Sequence, residues 1–177
     1  MSSTNKIALF IDGANFHATG KMLGFDVDYK RLLQEFGSRG TILRAYYYTQ
    51  IIADQEYSSV RPLTDWLQYN GYTVVTKVAK EFADASGRRR VRGDMDVELA
   101  VNAMELADQI DEMVLFSGDG DFRSLVHAMQ RRGVRVAVVS TIACQPAMVA
   151  DELRRQADLF IDLSELKPNI ERDLSEG

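Results

Sequence analysis

The sequence contains a single cysteine, Cys144, in a chain of 177 residues. An internal disulfide is therefore excluded, and this cysteine usage is typical of a reducing compartment. No apolar run approaches the length of about 20 residues that a membrane-spanning helix needs. The first six residues are polar with one lysine, which does not resemble a secretory signal. These absences predict a soluble, cytoplasmic protein that does not enter a membrane.

The chain also lacks an excess of positive charge. Its 26 acidic residues outnumber the 21 lysines and arginines, which gives a formal net charge of −5. This balance argues against unspecific coating of nucleic acid, although it leaves room for a local basic patch. The contents of 46% hydrophobic and 27% charged residues are ordinary for one globular domain and exclude disordered and collagen-like chains.

Apolar runs alternate with helical patterns along almost the whole chain. The predicted strands are IALFI, TILRAYYYT, YTVVTKVA, MVLF, VRVAVV and LFIDL. The predicted helices cover residues 29–36 and 57–69, with three more that begin near Asp94, at Phe122 and at Gln145. This alternation predicts an α/β fold with a mostly parallel sheet between two layers of helices. We expect one domain over residues 1–166 and a polar tail over residues 167–177.

Three carboxylates follow strands in this pattern. Asp12 ends the first strand in FIDGANF, and Asp119 and Asp121 follow the fourth in FSGDGDF. Ligands of open parallel sheets bind beyond the carboxyl ends of the strands, so both acidic turns face one crevice if these strands are neighbours. Two charges about 4 Å apart repel by about 4 kcal/mol at an effective dielectric constant of about 20. Something must offset this repulsion.

The long helix contributes a fourth acid. At about 100° per residue, Asp96 lies on the same side as an apolar stripe of the helix. The stripe consists of Leu99, Ala103, Leu106 and Ile110. A carboxylate on a buried face needs a partner. Asp94 falls on the polar side just before the first turn, where we expect it to cap the helix.

The sequence therefore predicts one pocket that holds four carboxylates. They are Asp12, Asp96, Asp119 and Asp121. Oxygen ligands without histidine or cysteine favour Mg²⁺ or Mn²⁺ over zinc. Such an ion would offset the repulsion, activate water and stabilise charge on phosphoryl oxygens. Metal-dependent hydrolysis of a phosphodiester is the reaction that this site suits best.

Three segments resemble the acidic motifs of a known family. FIDGANF, GDMDVELAVNAMELA and LFSGDGDF are similar to the motifs of the NYN domain, in its LabA-like branch of the PIN-like nuclease superfamily. The resemblance covers residues 5–163. It implies a three-layer α/β/α fold with strand order 3-2-1-4-5, ribonuclease activity on RNA, metal binding by the four aspartates and a supporting role for Asn15. Many relatives carry an acid in place of Asn102, a departure that bears on a second metal site.

A basic segment precedes the acidic helix. Residues 77–92 carry six cations, which are Lys77, Lys80, Arg88, Arg89, Arg90 and Arg92. We expect this arm, together with Arg123 beside the acidic turn, to hold an RNA backbone over the metal, because carboxylates alone would repel a polyanion. The alternative is a solvated hairpin without a ligand.

Simpler interpretations remain open for each motif. The aspartates and Asn15 are also common in turns and helix caps, and Ser117 fits a residue that positions the turn beside the site. The tyrosines at residues 46–48 could stack on bases, but core packing fits a central strand better. The alternative function is a non-catalytic RNA-binding or regulatory module. Exposed strand edges and small size are compatible with a homodimer.

Overall fold

The structure is a computed structural model that describes residues 5–52, 60–91 and 93–173. In chain order, the strands in these ranges are β1 (Lys6–Asp12), β2 (Thr41–Ile52), β3 (Thr73–Ala79), β4 (Glu81–Ala83), β5 (Arg89–Val91), β6 (Glu112–Phe116), β7 (Arg135–Ser140) and β8 (Leu159–Asp162). The helices are α1 (Gly13–Met22), α2 (Tyr29–Gly37), α3 (Val60–Tyr69), α4 (Asp96–Leu106), α5 (Arg123–Arg131), α6 (Asp151–Gln156) and α7 (Leu163–Ile170). A short 3₁₀ helix, Gly120–Phe122, precedes α5.

Six strands form a parallel sheet in the order β3-β2-β1-β6-β7-β8. The first five predicted strands are β1, β2, β3, β6 and β7, so the expected order 3-2-1-4-5 is confirmed. The sixth, LFIDL, is β8 and extends the sheet beside β7. Residues 7–11 of the central strand β1 are fully buried, as a parallel strand covered on both faces requires.

The side chains of β1 alternate between two hydrophobic cores. Ala8 and Phe10 pack in a core with residues of α4, α5 and α6. Ile7, Leu9 and Ile11 pack in the opposite core with residues of α1, α2, α3 and α7. Helices therefore cover both faces of the sheet, and the predicted α/β sandwich of three layers is confirmed.

The register of the sheet determines where the acidic turns lie. β1 and β6 are parallel neighbours, with Ile11 opposite Phe116. Their carboxyl ends consequently lie at the same edge of the sheet, where Asp12 ends β1 and Ser117 follows β6. The expectation that the first and fourth predicted strands are neighbours is confirmed.

One predicted helix begins elsewhere. The helix expected from Gln145 begins at Asp151 instead. Gln145 precedes Pro146, and the residue before a proline is disfavoured in the α conformation. The helix expected near Asp94 begins at Asp96, in agreement with the prediction that Asp94 lies just before its first turn. Residues 57–59 of the helix predicted over 57–69 lie outside the described residues.

Two helices were not predicted from the sequence. α1 begins at Gly13, where a Cβ atom would lie 2.6 Å from the carbonyl oxygen of Tyr48, so glycine allows the helix to approach the sheet closely. α7 continues past Leu166, where we expected the domain to end, and its Ile170 is buried. No helix within the described ranges is long and apolar enough to cross a membrane.

Candidate metal centre

Three of the four predicted carboxylates meet at the carboxyl edge of the sheet. Asp96, Asp119 and Asp121 each offer one oxygen, and these oxygens lie within 4.8 Å of one another. Two oxygens on opposite sides of a bound Mg²⁺ are about 4.2 Å apart. The three carboxylates therefore fit a divalent ion after small side-chain adjustments, and their oxygen chemistry suits Mg²⁺ or Mn²⁺. We refer to them below as the acidic cluster.

Local structure positions each member of the acidic cluster. Asp96 is the first residue of α4, and Leu99 and Ala103 on the same side of this helix are fully buried. Asp119 precedes the 3₁₀ helix, and its Oδ1 accepts a hydrogen bond of 2.9 Å from the backbone N–H of Asp121. The carboxylate of Asp119 therefore orients the backbone of Asp121 within the turn.

Asp12 lies beside the acidic cluster and is not one of its three members. Its Oδ2 accepts a hydrogen bond of 2.9 Å from the hydroxyl of Ser117. Burial raises the pKa of Asp12, the hydrogen bond from Ser117 lowers it, and the charge of Asp119 raises it. The charge of Asp119 therefore acts on Asp12, and Ser117, the residue after β6, fixes the orientation of the Asp12 carboxylate.

Ser117 and Asn15 connect the two acidic turns. The oxygen of Ser117 accepts a hydrogen bond of 3.1 Å from the backbone N–H of Asp119. The Oδ1 of Asn15 accepts one of 3.0 Å from the backbone N–H of Gly118. Ser117 is buried, whereas Asn15 is half-buried. Both residues predicted to support the site therefore contact the acidic turn, and their supporting role stays a prediction.

The carboxyl group of Asp96 lies among several like charges at the start of α4. Burial and the charges of Asp94, Asp119, Asp12 and Asp121 raise its pKa to about 7. Neighbouring negative charges raise the pKa of a carboxyl group, and a bound cation would offset the repulsion between those charges. The raised pKa of Asp96 therefore agrees with a cation site formed by these carboxylates.

The family of the chain follows from comparison with known proteins. The model of the NYN domain matches residues 6–165. The chain belongs to the NYN domain family. NYN domains are nuclease-type domains of the PIN-like class, and the resemblance of the three acidic motifs is thereby confirmed.

One curated relative and one solved structure extend this comparison. The chain is 37% identical over 172 residues to the low amplitude and bright protein LabA of Synechococcus elongatus, covering 95% of this chain and 89% of the relative. The crystal structure of VPA0982 from Vibrio parahaemolyticus superimposes with a TM-score of 0.74 at 26% identity, covering 92% of this chain and 96% of that one. The NYN domain thus resembles both over nearly its full length.

Asp94 and Asn102 of the NYN domain have structural partners. The Oδ1 of Asp94 accepts a hydrogen bond of 3.1 Å from the backbone N–H of Asp96, so Asp94 stabilises the start of α4. The amide of Asn102 donates a hydrogen bond of 2.9 Å to the hydroxyl of the buried Tyr48. Asn102 therefore contacts the core, and it is not a member of the acidic cluster.

Residues 81–91 of the basic segment form the β4–β5 hairpin of the NYN domain, and ion pairs neutralise part of the charge there. Arg89 pairs with Glu81 at 3.0 Å, and Arg90 pairs with Asp84. Lys77 pairs with Glu98 at 2.9 Å outside the hairpin. These ion pairs favour the alternative of a solvated hairpin over an arm whose cations are all available to RNA.

The remaining predicted substrate contacts differ in their exposure. Lys80, Arg88 and Arg123 are exposed, whereas Arg92 lies outside the described residues. Among the predicted tyrosines, Tyr47 and Tyr48 are buried, so core packing is confirmed for them. Three cations therefore remain as exposed candidates for RNA contacts.

The sequence analysis missed Glu152 as a neighbour of the acidic turn. A Cβ atom at Gly120, between Asp119 and Asp121, would lie 2.5 Å from Oε1 of Glu152. The carboxylate of Glu152 thus packs directly against the turn. We predicted that this helix, α6, begins at Gln145, so Glu152 was not recognised as a residue of its first turn. Asp151-Glu152 is nevertheless a typical sequence for the first turn of a helix.

Proposed function

We propose that this NYN domain is a divalent-metal-dependent ribonuclease. The observation that supports this most directly is the convergence of oxygens from Asp96, Asp119 and Asp121 within 4.8 Å at the carboxyl edge of the sheet. When bound, Mg²⁺ or Mn²⁺ supplies the activation of water and the stabilisation of charge on the phosphoryl oxygens. Family membership supports the same reaction class.

The proposed ligands are the three carboxylates of the acidic cluster with Asp12 as a fourth. Ser117 and the backbone of Asn15 both hydrogen-bond to the carboxylate of Asp12, and these bonds orient the group beside the acidic cluster. Ser117 and Asn15 keep the two acidic turns in register through Asp119 and Gly118. Preorganised carboxylates reduce the cost of ordering the site when it binds its ligand.

RNA is the proposed substrate because the proposed reaction hydrolyses a phosphodiester and because the domain has exposed cations that can contact phosphates. Lys80, Arg88 and Arg123 are exposed and offer contacts to phosphates, which position a strand without reading its sequence. Such cations oppose the repulsion between the carboxylates and the polyanion.

Hydrolysis of a labelled RNA tests the proposal. The parent protein should cleave in the presence of Mg²⁺ or Mn²⁺ and lose cleavage in EDTA. Asp119→Asn should reduce the rate by at least about 100-fold, the scale expected when an essential electrostatic group is lost. Asp108→Asn is the matched control, because its side chain is 87% exposed and its substitution removes the same charge elsewhere.

The alternative is a non-catalytic RNA-binding or regulatory module, and Asn102 is the observation that favours it. Asn102 stands where the family resemblance implies an acid, and its amide donates to the hydroxyl of Tyr48 instead. Equal, low cleavage by the parent and Asp119→Asn, with RNA binding retained, would support this alternative and contradict the ribonuclease.

Two further expectations belong to the same proposal. The single cysteine supports a cytoplasmic location, because reducing compartments disfavour disulfides. The edge strands β3 and β8 support a homodimer, since an edge strand offers unpaired backbone groups to another chain. Sedimentation of the purified protein at several concentrations tests the dimer.

A further inference from the structure

The solvent side of α5 carries a line of basic side chains. Arg123, His127 and Arg131 follow one another at intervals of four residues, which places them on one side of a helix, and all three are exposed. The side of α5 that faces the core consists of other residues, which are Leu125, Val126 and Met129. We refer to Arg123, His127 and Arg131 below as the α5 stripe.

The two arginines of the α5 stripe make no ion pair within the part of the chain that the structure describes. Other arginines of this region are paired. Arg132, the next residue along the chain, lies 3.9 Å from a carboxylate oxygen of Asp108. Arg155 of α6 pairs with Asp151 at 2.8 Å. The α5 stripe therefore keeps a positive charge that acids offset elsewhere.

The three helices on this face of the sheet differ in charge. α4, α5 and α6 all contribute residues to the core that contains Ala8 and Phe10. The sequence of α4 contains three acids and no cation, and that of α6 contains two acids and two arginines. The sequence of α5 contains two arginines, one histidine and no acid. A polyanion is therefore repelled by α4 and attracted by α5.

Helix stability does not account for the whole α5 stripe. Arg131 lies in the last turn of α5, where the helix dipole favours a cation. Arg123 is the first residue of the same helix, where the dipole disfavours a cation. An anionic ligand explains the position of Arg123, whereas the dipole does not.

The α5 stripe begins beside the acidic cluster. Arg123 follows Asp121 by two residues, and the 3₁₀ helix that contains Asp121 runs directly into α5. Arg131 lies about 12 Å further along the helix, at 1.5 Å per residue. The stripe therefore leads away from the cluster over a distance that a few nucleotides span.

We propose that the α5 stripe binds the backbone of an RNA strand that leaves the acidic cluster, with Arg123 and Arg131 in contact with successive phosphates along the helix. Contacts of this kind position a strand and do not read its sequence. The inference rests on the proposed function for the choice of RNA. It adds the path of the strand, which follows α5 and avoids the acidic surface of α4.

Binding of a fluorescent oligouridylate in EDTA, measured at several salt concentrations, tests this path. Arg131→Gln should weaken binding about 5-fold at about 0.1 M salt, and the slope of log affinity against log salt should fall by about 0.7, the contribution of one phosphate contact to a single strand. Oligoadenylate should lose the same factor, because a phosphate contact does not distinguish bases. Arg131→Lys should retain binding, because lysine also binds phosphate as a point charge.

Arg61→Gln is the matched control. Arg61 is exposed on α3, a helix that packs on the opposite face of the sheet, and the substitution removes the same charge. This variant should bind RNA like the parent. Equal binding by the parent and Arg131→Gln would overturn the inference. An equal loss in Arg61→Gln would also overturn it, because net charge alone would then explain the effect. Thermal melting checks that Arg131→Gln folds, and Arg131→Lys keeps a cation in the last turn of α5.

An acidic polypeptide is another class of ligand that a cationic helix attracts, and poly-glutamate is the probe for it. Poly-glutamate that displaces oligouridylate from the parent at an equal concentration of charges would assign the α5 stripe to acidic proteins and overturn the inference. Failure of poly-glutamate to displace the RNA would support it.

Cleavage measured separately with Mn²⁺ distinguishes this inference from the proposed function. RNA binding that depends on Arg131, in a parent that hydrolyses no RNA, supports the path along α5 and contradicts the ribonuclease. Hydrolysis by the parent, together with unchanged RNA binding in Arg131→Gln, contradicts the path and supports the ribonuclease.

Discussion

The hydroxyl of Ser117 donates a hydrogen bond of 2.9 Å to Oδ2 of Asp12. The two residues are separated by 105 positions in the sequence, and the bond joins the ends of the neighbouring strands β1 and β6. The same oxygen of Ser117 accepts from the backbone N–H of Asp119 at 3.1 Å. One buried hydroxyl therefore orients Asp12 and holds the turn that carries Asp119 and Asp121.

Ser117→Ala should destabilise the protein by about 1–3 kcal/mol, because the N–H of Asp119 and the carboxylate of Asp12 would both lose a partner. The pKa of Asp12 should rise further, since the hydrogen bond from Ser117 lowers it in the parent. Urea unfolding in EDTA measures the first effect, and carboxyl NMR measures the second.

Ser38→Ala is the control for Ser117→Ala. Its hydroxyl donates to the carbonyl of Glu35 at 2.6 Å in an exposed position, so its loss should change the free energy of unfolding by less than about 0.5 kcal/mol. Equal effects of the two substitutions would show that Ser117 does not organise the acidic turns.

The stability of the metal-free protein should fall as pH rises from about 4 to about 7. The pKa of Asp96 is raised to about 7 in the folded state, above its value of about 3.9 in the unfolded chain. Between these values the folded state binds more protons than the unfolded state, so raising the pH favours unfolding. The raised pKa of Asp12 acts in the same direction.

Denaturant unfolding in EDTA over this pH range measures the effect. Asp96→Asn should flatten the decline, because the amide does not titrate. Asp108→Asn should leave the decline in stability unchanged, because the side chain of Asp108 is 87% exposed and is not a member of the acidic cluster. A parent whose stability increases steadily over the same range would contradict the raised pKa of Asp96.

Local sequence was sufficient to predict those parts of the site that depend on one element. Leu99 and Ala103 recur at helical spacing after Asp96, so the buried side of α4 could be recognised. Asp119 and Asp121 follow an apolar run, so their place at a strand end was also predictable. The strand order, in contrast, came from the family resemblance, because periodicity does not specify which strands are neighbours.

Features that depend on distant pairings were not predictable. The partners of Arg89 and Arg90 depend on the register of the hairpin, which residues 77–92 alone do not specify. The bond from Ser117 to Asp12 requires β1 and β6 to be adjacent. α1 has few large apolar residues, and its position depends on how closely Gly13 approaches Tyr48, so no amphipathic pattern revealed it.

Divalent metal should stabilise the parent and not Asp119→Asn. A ligand at 100 times its dissociation constant adds about 2.7 kcal/mol to the free energy of unfolding, and the parent should gain this with Mn²⁺. In EDTA the variant should equal or exceed the parent in stability. Its side-chain oxygen can still accept from the N–H of Asp121, while one of the repelling charges is gone.

Thermal melting with and without Mn²⁺ measures this difference, and Asp108→Asn should gain stability like the parent. An equal gain in the parent and in Asp119→Asn would place the ion elsewhere and contradict the assignment of the acidic cluster.

Gly118→Ala should destabilise the protein and impair cleavage together. A Cβ atom at this position would overlap the carbonyl oxygen of Met148 and approach the hydroxyl of Ser140 to 2.9 Å. The turn would have to shift, at a cost of about 1–3 kcal/mol for an overpacked site. Asn15 and Ser117 would then no longer hold Asp119 at its present position, so the rate of RNA hydrolysis should also fall.

Gly37→Ala is the control, because its Cβ atom would meet only Ile42 at 3.9 Å and helical alanine stabilises by up to about 1 kcal/mol. Urea unfolding and the cleavage assay on both variants compare the two positions. A Gly118→Ala protein with the stability and activity of the parent would contradict the prediction, because it would show that the turn tolerates displacement.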